Sequence, residues 1–138
     1  MKKIVLISCV NQKLSHPAKA QNLYRSPLFR YNYKFAKSLH PKKIFILSAK
    51  YGLLNPNKII KPYNKTLLTM SSKAIKQWAI AVINQLGKVS NLKRDNFIFL
   101  AGEKYRKYLL PHISYFQIPL KGLKIGEQLE YLKKKTTK

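Results

Sequence analysis

Few residues in this chain can do acid–base chemistry, and those that can fall late. The first 94 residues contain no Asp or Glu; the acids are Asp95, Glu103, Glu127 and Glu130. Multi-carboxylate Mg²⁺ or Ca²⁺ sites and paired-carboxylate sites need acids that most of the chain lacks. Cys9 is the single cysteine, which removes an intrachain disulfide and a Cys-based zinc cluster. A cysteine beyond a strand and near lysines can be nucleophilic, but no His–Asp pattern stands beside Cys9, so a buried structural thiol is the favoured reading. His16, His40 and His112 are scattered and form no metal motif. Neither a Walker-type loop nor GxGxxG occurs, so nucleotide hydrolysis and dinucleotide binding have no support. No metal and no cofactor is expected. What remains is Glu103, together with Ser8, Tyr51 and a large number of lysines.

Those lysines define the second property. The chain has 28 Lys plus Arg against four acids, a formal net charge of +24 on 138 residues. A body so charged repels itself and favours a polyanionic partner such as nucleic acid. It is also 46% hydrophobic, with apolar runs that a disordered basic tail would lack. The expectation is one folded domain over residues 1–138, taken as a monomer by default. MKKIVLISCV has the charge of a signal peptide but a short apolar run and no small-residue cleavage site, so it reads as a strand. No segment reaches membrane-spanning length, and a single cysteine suits a reducing compartment, so the expected setting is the cytoplasm without membrane contact.

The elements that must hold the reactive residues follow from periodicity. Residues 4–9 form a β-branched apolar run, hence a buried strand, and 10–25 read as a loop. Ser26-Pro27 starts a helix, with Ser as N-cap and Pro at the first position. Its apolar face is Leu28, Tyr31, Phe35 and Leu39, and Pro41 closes it. Residues 44–47 are a second buried strand, followed by a long loop with Pro56 and Pro62. Ser71 or Ser72 caps the next helix, whose face is Ile75, Trp78 or Ala79, Val82, Ile83 and Leu86, with Gly87 as its C′ residue. Residues 97–101 are a third strand, 103–110 a short helix ended by Pro111, and 115–118 a shorter strand. The last helix covers 126–135, with apolar Ile125, Leu129 and Leu132. Glu127 and Glu130 there pair with lysines or stay solvated, and 132–138 fray as a basic tail. Apolar strands alternating with helices predict an α/β fold: a single three-layer domain with a mainly parallel central sheet of about four strands flanked by helices.

In such folds ligands bind beyond the carboxyl ends of the strands. Those ends are Ser8-Cys9, Ser48-Ala49 and Ala101-Gly102, all small, each leading toward backbone N–H groups that can meet an anion. Small residues also close tight turns in any α/β protein, so each end alone favours the structural explanation, while three together bring the two readings level. The segment 47–67, LSAKYGLLNPNKIIKPYNKTL, interleaves Lys50, Lys58 and Lys61 with Tyr51 and Tyr63. Lysine suits phosphate and tyrosine a base face, although a solvated basic loop with its rings on the core is slightly favoured on the residues alone.

Several of these pieces together resemble a small family related to the YaaA peroxide-stress proteins. They are Ser8-Cys9; Ala20 to Ser26 with Leu23-Tyr24-Arg25-Ser26; LSAKYGLL with Lys61-Pro62-Tyr63; Trp78-Ala79; LAGEKY at 100–105; and Pro119 to Leu123 with Ile125 to Leu129. The resemblance implies DNA binding and, more loosely, a core like that of uracil-DNA-glycosylase-type folds and a link to base removal. The YaaA proteins are longer. Asn64 stands where the resemblance leads one to expect an acid after the Pro-Tyr. If that acid is catalytic in the family, this chain is inactive or uses another residue.

The expected function is binding of DNA with removal of a modified base. Extrusion of the target nucleotide into a pocket is required for such chemistry. Lys50 and Lys104 would grip phosphate and Tyr51 or Tyr63 would stack on the base. Glu103, at a helix start after the third strand, would serve as base or electrostatic stabiliser, held ionised by nearby lysines; the alternative role for Glu103 is simply to suit the helix dipole. The catalytic set is Glu103, Tyr51 and Ser8. The binding set is Cys9, Lys13, Tyr24, Arg25, Ser48, Lys50, Gly52, Lys61, Tyr63, Asn64, Gly102 and Lys104. The competing expectations are a DNA binder without an active site, and a basic protein that blocks a partner's acidic, DNA-mimicking or nucleic-acid-binding surface.

Overall fold

The computed structural model describes residues 2–8 and 15–136. The elements run β1 (Lys3–Ser8), β2 (Ala18–Lys19), α1 (Ala20–Leu23), α2 (Pro27–Ser38), β3 (Lys43–Ser48), β4 (Gly52–Leu54), β5 (Ile59–Ile60), α3 (Ser72–Val89), β6 (Asn96–Leu100), α4 (Glu103–Arg106), β7 (Tyr115–Gln117) and α5 (Ile125–Thr136). Single 3₁₀ turns occupy Leu67–Thr69 and Leu110–His112.

Ile4 to Ile7 are buried without a break, which requires cover on both faces of the sheet. β1 accordingly lies at the centre. It pairs in parallel with β3 on one side and β6 on the other, and β7 extends the sheet in parallel beyond β6. β4 folds back antiparallel on β3, so the order is β4-β3-β1-β6-β7. β2 and β5 form a separate antiparallel pair. The connections from β1 to β3 and from β3 to β6 run in opposite directions across the sheet. Right-handed crossovers therefore put α2 and α3 on opposite faces. α5 packs on α2, where the Phe35 and Tyr131 rings meet edge-on at 6.1 Å, and α3 packs on β4. The result is the mixed α/β fold expected, a mainly parallel sheet between helices.

The helix starts follow their caps. Ser26 Oγ accepts from Leu28 N at 3.2 Å with Pro27 behind it, and Ser71 Oγ accepts from Ala74 N at 3.2 Å. These side chains satisfy N–H groups that the first turn leaves free.

Several expectations need correction. The main sheet has five strands: β4 follows the turn at Gly52 and is too short to show periodicity. Residues 10–25 are not all loop, because β2 and α1 fall inside that stretch. Gly87 does not end α3, which continues to Val89. The helix at 103 ends at Arg106, ahead of Pro111. The buried face of α2 is Phe29, Asn32, Phe35 and Ala36; Leu28, Tyr31 and Leu39 are half-buried on its flanks. α2 meets both β1 and α5, so its buried stripe is wide. The C-terminus is no frayed tail from 132: α5 runs to Thr136 and Leu132 is fully buried, whereas Ile125, placed on its apolar face, is 66% exposed.

Candidate functional site

The carboxyl ends of β1, β3 and β6 lie at one edge of the sheet, but they build two different things. At the end of β3 is a hydrogen-bonded turn. Ser48 is 0% exposed. Its Oγ accepts from the N–H groups of Lys50 at 3.2 Å and Tyr51 at 3.0 Å, and donates to the Tyr63 hydroxyl at 2.8 Å. The Tyr63 and Tyr24 hydroxyls are 2.7 Å apart, and Trp78 Nε1 donates to the Ser48 carbonyl at 2.9 Å. A buried hydroxyl is tolerated only when paired, and this one is paired on both its donor and acceptor sides. Gly52 then takes φ +71°, which reverses the chain into β4. A Cβ there would run into Gln85 Oε1, which accepts from Leu53 N at 2.9 Å.

Three members of the expected binding set are therefore structural. Ser48 is closed to solvent, Tyr24 is 2% exposed and cannot stack on a base, and Gly52 is a buried turn residue. Tyr63 is half-buried and holds the turn through its hydroxyl. Tyr51 is half-buried, edge-on to Tyr63 at 5.6 Å, with Lys50 Nζ 5.3 Å from its ring centroid. Arg25, Lys50, Lys61 and Asn64 are exposed. Cys9 and Lys13 lie outside the described residues.

At the ends of β1 and β6 is an open cavity of about 730 Å³. β1 connects onward to β3 on one side of it and β6 to β7 on the other, so this is the point where the strand order reverses, the place where α/β sheets leave a crevice. Ser8 Oγ accepts from Gly102 N at 3.4 Å and ties the two strand ends together. Ser8, Gly102, Glu103 and Lys104 all line the cavity, as expected from sequence, whereas Ser48 and Tyr51 do not. The lining also includes Arg106, Lys107 and Lys121, which sequence reasoning missed. Glu103 is thus the one carboxylate on a wall with four cations. Lys104 Nζ is anchored on the Leu68 carbonyl at 3.2 Å, and the Arg106 guanidinium on the Ala101 carbonyl at 2.6 Å. Lys107 Nζ stands 5.5 Å from the Tyr108 ring centroid, and Lys76 Nζ 5.4 Å from the same centroid.

Asn32 of α2 is a further lining residue that the sequence reading passed over. The available signal was an amide at helical spacing among Phe29, Phe35 and Ala36, since a polar residue on a buried face is the informative exception.

Among the described residues no group of three or more His, Cys, Asp or Glu could hold a metal, and no helix is long and apolar enough to cross a membrane. A model for a family of unknown function matches residues 4–134. The chain belongs to the DUF6884 family. The match takes in all of the sheet but Lys3, the first residue of β1, and every wall of the cavity in this DUF6884 chain. No curated protein and no solved structure matches it.

Proposed function

We propose that this protein binds nucleic acid and takes one nucleotide into the cavity between the ends of β1 and β6, where it removes the base. The observation that carries this reading is the wall of four cations, Lys104, Arg106, Lys107 and Lys121, around the single carboxylate of Glu103. Cations on a concave, low-dielectric wall attract an anion more strongly than the same charges on an open face. The net charge of +24 supports a polyanion over a small acid, and the resemblance of LSAKYGLL with Pro62-Tyr63 to the YaaA proteins points the same way. Apolar Leu28, Met70, Ile75 and Leu123 give the same space surfaces for a flat ring.

The reaction is hydrolysis of the N-glycosidic bond. Water adds to the anomeric carbon, the carbon–nitrogen pair leaves with the base, and the proton from water ends on the departing base. Glu103 either takes that proton from water or offsets the positive charge that develops on the sugar. Lysines and Arg106 hold the flanking phosphates.

Mass-spectrometric detection of free base and abasic DNA tests this, with unmodified DNA and a panel of modified-base DNAs as substrates. Release by wild type and its loss in Glu103→Gln is the expected result. A second reading is favoured by one observation: the Glu103 carboxylate is exposed and has no hydrogen-bond partner among the described residues, so nothing orients it. On that reading the cavity recognises a nucleotide without chemistry. Tight, salt-sensitive binding with no base release from any substrate would select it.

A further inference from the structure

Asn32 is 5% exposed, lines the cavity, and carries the one buried side-chain polar atom among the described residues that has no hydrogen-bond partner, its Oδ1. Its amide makes no hydrogen bond among the described residues. A buried amide atom left unpaired costs about 1–3 kcal/mol, and native structures keep few of them. Nothing in the packing of α2 requires an amide at this position. Its neighbours on the same face are Phe29, Phe35 and Ala36, and an apolar side chain would serve that face better.

We infer that Asn32 is the specificity-determining residue of the cavity, its side chain turning the buried carboxamide outward to read the hydrogen-bonding edge of a nucleobase. This rests on the nucleotide-binding reading above and extends it to what the site recognises. A carboxamide presents one acceptor and one donor side by side, and rotation about its last torsion exchanges them. Its complement is a flat ring edge with a donor next to an acceptor, which is the chemistry of a nucleobase and not of a sugar or phosphate. The division of the wall fits such a ligand. Lys104, Lys107 and Lys121 supply charge for phosphate, Leu28 and Leu123 supply apolar contact, and Asn32 is the uncharged polar side chain that the fold leaves unsatisfied.

The test is calorimetric titration of the full chain with the four deoxynucleoside 5′-monophosphates and with 2-deoxyribose 5-phosphate, which lacks a base. Wild type should bind at least one nucleotide about tenfold more tightly than the sugar phosphate, the worth of one to two hydrogen bonds. Asn32→Leu, of similar volume, should lose about tenfold for the preferred nucleotide and keep its affinity for the sugar phosphate. Its Tm should equal or exceed that of wild type, because the unpaired amide is gone; a residue that merely held the fold would lower it. Asn32→Asp, which replaces the donor by a second acceptor, should change the order of preference among the four bases. No discrimination between nucleotides and sugar phosphate by wild type overturns the inference, as does undiminished nucleotide binding by Asn32→Leu. Salt-sensitive DNA binding that persists without such discrimination rejects the role of Asn32 alone. Absence of binding to DNA and to every nucleotide rejects the nucleic-acid reading itself.

Discussion

Gly52 and Asp95 show how single residues in this chain trade chemistry for structure. Gly52 sits at φ +71° against Gln85, so a side chain there meets both a strained backbone and an occupied space. Gly52→Ala should destabilise the protein by about 1–2 kcal/mol, read from denaturant unfolding, and an unchanged midpoint would show that the turn relaxes freely. Asp95 is buried, and its two oxygens accept from Lys2 N at 3.2 Å and Asn91 N at 2.8 Å. Asp95→Ala leaves both N–H groups without that partner and should cost about 1–3 kcal/mol by the same measurement, with nucleotide binding retained in the folded fraction. Of the four acids, then, Asp95 ties a loop to the start of β1. Glu127 accepts from Lys124 N at 2.9 Å at the start of α5, a capping bond where the sequence leads one to expect pairing with lysine or solvation. Glu130 pairs with exposed Lys134 at 3.4 Å. That leaves Glu103 as the acid whose carboxylate has no hydrogen bond or ion pair among the described residues, and it is the one on the cavity wall.

At the scale of elements, the turn from β3 to β4 and the last helix behave differently from their sequence appearance. LSAKYGLL mixes small, basic and aromatic residues, so that on the residues alone a solvated basic loop is only slightly favoured over a ligand loop. In the fold its Ser48 is the hub of a turn held by Tyr63, Trp78 and the N–H groups of Lys50 and Tyr51. Ser48→Ala should lower stability by about 1–3 kcal/mol through the partners it leaves unpaired, while Lys50→Ala should leave stability unchanged. Equal effects of the two variants on Tm would contradict that division. The basic tail reads as solvated because charge dominates it, yet Leu132 anchors α5 in the core. Leu132→Ala should cost about 2–5 kcal/mol, a loss a frayed tail could not produce. Strong local signals such as Ser26-Pro27, Ser71 and the run at Ile4 were legible because caps and buried strands depend on neighbours in sequence. β2, β5 and the short β4 were not legible, because two- and three-residue strands exist only through their partners.

For the whole molecule, charge is the governing quantity. The Lys134–Glu130 pair is the only ion pair among the described residues, and it is exposed, so the remaining cations repel one another with little internal relief. Raising salt from low to moderate should therefore raise Tm by screening. A short oligonucleotide at 100 times its Kd should add about 2.7 kcal/mol of stability, seen in thermal unfolding. A Tm that falls with added salt would show that self-repulsion is not what limits stability. The sequence by itself determined this charge, the α/β class and the buried central strand, since composition and apolar periodicity are properties of the linear chain. It also brought Ser8, Gly102, Glu103 and Lys104 forward, because each stands at or just beyond the carboxyl end of a strand. Only the tertiary structure decided that β1 lies between β3 and β6, and hence that the order reverses between the ends of β1 and β6. That reversal opens the cavity beside Ser8 and Glu103 and brings Asn32 and Lys121 to the same wall from distant parts of the chain. Strand order is a matter of which partners pair across long loops, and no local pattern of residues encodes it.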